Sequence, residues 1–117
     1  MKHFDPNDLT PKEQYKLMTG SIVPRPIALV TTLGPEGANA APFSLFNMVS
    51  VDPPTVMFSV SPRGQEIKDT VRNIEEHVPE FVVHIVNEAT RERMNVTSAD
   101  FPRGQSEIRA AGFLSVP

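Results

Sequence analysis

The chain has 117 residues, a length suited to one domain with one hydrophobic core. Its formal net charge of -3 and sequence pI near 5.5 argue against a general nucleic-acid binder, which would carry a basic stripe, and leave local binding of a small anion open. With no cysteine, disulfides, Cys-ligated zinc and thiol catalysis are excluded. No apolar run approaches the roughly 18 residues of a membrane span. "MKHFDPNDLT" lacks the apolar core of a secretory signal, so a cytoplasmic protein is expected.

Residues 1–20 read as an N-terminal arm, and 21–117 as a single domain. Thr10 before Pro11 suits an N-cap and first helical position. "KEQYKLM" can form about two turns, and Gly20 is expected to end them. "IALVTTL" (Ile27 to Leu33) is a short β-branched, apolar run, followed by the turn "GPEG". "NAAPFSLFNMVSV" (Asn39 to Val51) reads as one second strand, with Pro42 placing its early part at an edge, a bulge or a strand start. "DPP" breaks it. In "TVMFSVS" (Thr55 to Ser61), Val56, Phe58 and Val60 alternate with Met57, Ser59 and Ser61. Short turns between these runs favour antiparallel neighbours.

In "EIKDTVRNIEEHV", Ile67, Val71, Ile74 and Val78 fall on one helical stripe, and Pro79 stops it. "EFVVHIVN" (Glu80 to Asn87) is a fourth strand. "EATRERMNVTS" and "SEIRAAGF" suit short helices, the second with Ser106 as N-cap and Gly112 as its stop. The order β-β-β-α-β-α-α predicts an α+β, mostly antiparallel sheet or barrel with helices packed outside. Four strands are few for a closed barrel.

Two features point to chemistry. Asn47 falls in register with Phe43, Leu45, Val49 and Val51, the side expected to face the core, with Ser44 nearby. A buried amide without partners costs a few kcal/mol, so it is bonded either to neighbouring backbone or to a ligand. The segment "SPRGQEIKDT" places Arg63 and Lys68 at a helix start, where the dipole favours acidic residues such as Glu66 and Asp69. The cations there form either a phosphate cradle or an ordinary solvated charge cluster. No P-loop or dinucleotide fingerprint is present. His3, His77 and His84 lack metal-ligand spacing, and His84 is expected to be a packed or surface histidine. No nucleophile and base stand in a defensible arrangement. The reactive chemistry of an enzyme built on this chain would belong to a bound cofactor.

The ordered set "PRPIALV", "NAAPFSLFN", "DPP", "KDTVRNI", "EFVVHIVN" and "TSADFPRGQSEIRAAGF", spanning about residues 20–117, resembles the flavin reductase-like family. These are FMN-binding split-barrel proteins that include flavoredoxins and the reductase partners of two-component monooxygenases. The resemblance implies an antiparallel split β-barrel with peripheral helices. It implies that Ser44, Leu45, Phe46 and Asn47 run along FMN, and that Ser61, Arg63, Lys68, Asp69 and Thr70 hold its phosphate and ribityl end. Asn39 and Arg25 are secondary candidates that could equally serve turn or surface structure. NAD(P)H-dependent flavin reduction, or electron transfer through bound FMN to a monooxygenase or another acceptor, is the implied function, carried out by a homodimer with flavin near the subunit interface. No side chain is nominated as catalytic. The alternatives are a non-enzymatic FMN-binding electron carrier and a cofactor-free β-barrel interaction domain. Such proteins normally continue well past "AGFLSVP" with strands that help close the barrel. An incomplete barrel is therefore expected here, in a fragment or a naturally short member.

Overall fold

The computed structural model describes residues 2–61, 66–102 and 104–115. Helix α1 (Pro11–Ser21) opens with a capping box. The Thr10 N–H and hydroxyl both donate to Glu13 Oε2, at 2.9 and 2.6 Å. These bonds, the hydroxyl's first and then the backbone's, hold the Glu13 carboxyl below its ordinary pKa. Gly20 does not end the helix, contrary to the expectation from sequence. It lies inside α1 and does not take the left-handed conformation seen at Gly37, Gly104 and Gly112. Arg25 closes the helix instead, donating through Nη1 to the carbonyls of Thr19 and Ile22. No residue of α1 is buried.

Strands β1 (Ala28–Gly34) and β2 (Gly37–Phe43) form an antiparallel hairpin around the expected turn, with Gly34 opposite Gly37 and Thr32 opposite Asn39. The other edge of β1 pairs antiparallel with β5 (Val82–Ile85), giving the sheet order β2-β1-β5. Pro42 thus sits on an edge strand, where its missing N–H costs no ladder bond. The central strand is buried on both faces. Ala28 and Val30 join Phe43 in one cluster, with Phe58 and Val83 against it. Leu29 joins Ala40 and Ile108 in the other, with Met94 and Phe113 against it.

The run from Asn39 to Val51 is two strands, not one. The chain bends at Ser44 and Leu45, and β3 (Phe46–Val51) pairs with β4 (Pro54–Phe58) in a separate two-stranded sheet. The described strands therefore number five rather than four. The bend resets the alternation of faces, so Phe43 and Phe46, on opposite sides of an unbroken strand, pack into the same cluster. Phe58 lies 5.1 Å from Phe43 and 5.1 Å from Phe81 between ring centroids. Farther out, Met48, Val49, Val51, Val56 and Met57 are exposed. Among the described residues the two sheets do not close into a barrel. The Cα radius of gyration is 16.1 Å, against about 13 Å for a compact chain of this size.

Helix α2 (Asp69–Glu76) packs on β1. Its buried residues are Thr70 and Asn73, not the anticipated apolar stripe; Ile67 precedes the helix and is exposed. Polar contacts explain the difference. Asn73 Nδ2 donates to Thr32 Oγ1 at 3.1 Å, and Thr70 Oγ1 donates to Asn39 Oδ1 at 3.3 Å. The short helices α3 (Arg91–Val96) and α4 (Glu107–Ala110) complete the described structure. Ser106 caps α4, and Gly112 follows it at φ 68°, as anticipated. No helix among the described residues is long and apolar enough to cross a membrane.

Candidate functional site

A cleft of about 670 Å³ lies between the edge strand β2, the opening turn of α2, the loop after α3 and the start of α4. Each wall has a local cause. Among the described residues β2 is an edge strand, so Asn39, Ala41 and Pro42 meet no further strand on that side. Lys68 takes extended backbone at the N-cap of α2 and makes no side-chain cap bond. Its side chain crosses Phe43, with Nζ 5.7 Å from the ring centroid. One turn on, Arg72 also lines the cleft, its Nη1 3.6 Å from Asp69 Oδ1.

The opening turn of a helix is the positive end of its dipole; at α2 the Val71 N–H is already bonded to the Lys68 carbonyl at 3.0 Å, and the turn is flanked by Lys68 and Arg72. That set fits a phosphomonoester: a point charge, a planar guanidinium and the positive end of a helix dipole. Glu66, Asp69 and Glu107 also line the cleft, so it is mixed in charge rather than a broad basic patch.

The cleft gathers Lys68, Asp69 and Thr70, and the secondary candidate Asn39, from the residues singled out in the sequence. Thr70 is buried, at 1% exposure. Ser44 and Leu45 form the bend, Phe46 is half-buried, and Ser61 is exposed; none of these lines the cleft. Arg63 lies outside the described residues. Asn47 is exposed rather than core-facing, and its Oδ1 accepts the N–H of Met48 at 2.9 Å. The parity that placed it inward assumed an unbroken strand. Phe43 links the two groups, preceding Ser44 in the chain and carrying Lys68 over its ring.

Arg25 caps α1 and does not line the cleft; its Nε is buried without a hydrogen-bond partner. His84 is exposed and bonds Thr31 Oγ1 at 3.0 Å. Sequence reasoning passed over Arg72 and Glu107. The spacing of Arg72 from Lys68, four residues along one helix, was a usable signal. Glu107 had none, because its approach to Asn39 depends on tertiary packing.

A family model described as "Flavin reductase like domain" matches residues 19–116. Nitrilotriacetate monooxygenase component B from Bacillus cereus superposes with a TM-score of 0.88 at 47% identity, covering 95% of this chain and 55% of that one. The 2-nitrobenzoate 2-nitroreductase NbaA of Pseudomonas fluorescens superposes with a TM-score of 0.85 at 44% identity, covering 99% and 55%. A Shewanella frigidimarina protein with a split barrel domain, at 22% identity and a TM-score of 0.72, shares the fold over 98% of this chain and 60% of its own. The chain spans about half the length of the curated relatives it matches.

Proposed function

Because the chain belongs to the flavin reductase-like family, we propose that it binds FMN, with the phosphate at the start of α2, and takes part in NAD(P)H-dependent flavin reduction or flavin-mediated electron transfer. The observation that carries this reading is the pair of cations, Lys68 and Arg72, on the opening turn of α2 at the cleft. The relatives whose names describe a monooxygenase component and a nitroreductase support the redox class.

In this reading Lys68 and Arg72 hold the phosphate, with Arg63 and Ser61 joining from the preceding segment. Asp69 keeps Arg72 oriented through their ion pair. The strip Ser44, Leu45, Phe46 and Asn47 runs along the flavin, offering a hydroxyl, an amide and backbone groups. Bound FMN would supply the hydride-accepting and electron-passing chemistry that the side chains lack. The protein's part is to anchor the anionic end, orient the ring and exclude water from one of its faces. The exposed apolar β3–β4 hairpin supports a homodimer as the working form.

The test is a titration of the purified chain with FMN and with riboflavin, followed by NADH and NADPH oxidation with FMN present. Tighter binding of FMN than riboflavin, together with nicotinamide oxidation, supports the reading. FMN binding without oxidation leaves a flavin-holding electron carrier. Absence of flavin binding overturns the proposal.

A further inference from the structure

We propose that Glu107, Asn39 and Thr70 form a directed hydrogen-bond bridge that positions the opening turn of α2, and that Thr70 serves the site through this bridge rather than by donating to a bound anion. The role at the cleft rests on the phosphate reading above; the bridge itself does not.

The bridge crosses three elements. Asn39 Nδ2 on β2 donates to Glu107 Oε1 on α4 at 3.1 Å. Asn39 Oδ1 accepts from Thr70 Oγ1 on α2 at 3.3 Å. Its direction follows from the donor inventory. An ionised carboxylate only accepts, so the amide nitrogen of Asn39 must face Glu107 and its oxygen must face Thr70. Reversing the amide would set an oxygen against the carboxylate. The hydroxyl of Thr70 has a single proton, and Asn39 takes it. With that proton committed and 1% of the residue exposed, Thr70 has none left to give a phosphate oxygen.

The bridge has a parallel tie beside it. Asn39 lies opposite Thr32 in the β1–β2 ladder, and Thr70 and Asn73 are three residues apart on α2. Each helix residue bonds one member of the cross-strand pair. A helix bonded at both points cannot roll on the sheet without breaking one of them. The upstream tie lies within the first turn, next to Lys68 and close to Arg72. Glu107 thereby fixes the register of a cradle that it need not touch.

Two readouts on the 117-residue chain test this: ligand-free amide hydrogen exchange at Val71 and Arg72, whose N–H groups bond the Lys68 carbonyl, and the ratio of FMN to riboflavin affinity. Glu107→Ala and Thr70→Val should each speed exchange at these two amides by about tenfold, the scale of one lost side-chain hydrogen bond. Each should also lower the affinity ratio. The double variant should be no worse than the more severe single one, because both break the same bridge. Glu107→Gln keeps an acceptor oxygen for Asn39 and should stay nearer wild type than Glu107→Ala. Unchanged exchange in Glu107→Ala, or additive effects in the double variant, overturns the bridge. Loss of the affinity ratio in Thr70→Val alone, with Glu107→Ala normal, makes Thr70 a direct ligand and overturns its positioning role. A wild-type chain that binds FMN and riboflavin equally refutes the phosphate reading and the role at the cleft, while the exchange data still decide the bridge.

Discussion

The side chain of Asn73 occupies the space that a Cβ on Gly34 would fill. A methyl group there would lie 2.8 Å from Asn73 Cγ and 3.0 Å from Nδ2, with Oδ1 closer still. That Nδ2 donates to the buried Thr32 hydroxyl, so glycine at the end of β1 lets α2 sit close enough to bond the sheet. The requirement is one of close approach, not of backbone conformation.

Gly34→Ala should therefore destabilise the fold by about 1–3 kcal/mol, the cost of leaving buried polar groups unpaired. Denaturant midpoints measure it. In an Asn73→Ala background the same change should cost much less, because the obstructing amide is gone. Equal costs in both backgrounds would show that the contact does not govern Gly34.

Lys68→Ala should weaken FMN binding by about 1.5–3 kcal/mol, the range for a charge-assisted hydrogen bond. That corresponds to roughly a tenfold to hundredfold rise in Kd. Riboflavin, which has no phosphate, should lose far less. Isothermal titration with both ligands checks the difference, and an equal loss would remove Lys68 from the phosphate site.

Asn47→Leu should leave the ligand-free fold near wild-type stability, since the residue is exposed and its amide oxygen bonds the adjacent backbone N–H. Flavin affinity should fall if the amide contacts the ring. A sharp drop in denaturant midpoint with unchanged affinity per folded molecule would make the amide structural.

The capping box makes α1 sensitive to acid. Both bonds from Thr10 favour the ionised Glu13 and lower its folded-state pKa. The contribution is present above the unfolded carboxylate pKa and is lost as pH falls through the lower folded value. Helical circular dichroism should decline across that acidic window, and Glu13→Ala should abolish this component. An identical acid profile in the variant would show that the cap does not govern the helix.

Local signals in the sequence located most elements. Thr10 with Pro11 marked the start of α1, "GPEG" marked the first hairpin, and Ser106 and Gly112 bracketed α4. These features act over a few residues and survive without tertiary context. The bend at Ser44 and Leu45 carried no comparable punctuation, so β2 and β3 read as one strand and Asn47 was assigned inward. The buried side of α2 was hidden for another reason. Thr70 and Asn73 look solvent-facing until Asn39 and Thr32 are there to pair with them. In the site, Lys68 was visible as a misplaced charge, whereas Glu107 became relevant only when folding brought α4 to β2.

The apolar hairpin also governs how the chain should melt. Met48, Val49, Val51, Val56 and Met57 are already 44–76% exposed in the folded chain, so unfolding adds less to their exposure than it would for buried residues. The heat-capacity increment of unfolding follows newly exposed apolar area, and a well-buried domain of this length would show about 1.5 kcal/mol/K. This chain alone should fall below that, with a correspondingly shallow denaturant slope. Covering the hairpin with a second copy would raise both quantities together. A calorimetric scan across protein concentrations would thus report how much of the hairpin is covered in solution.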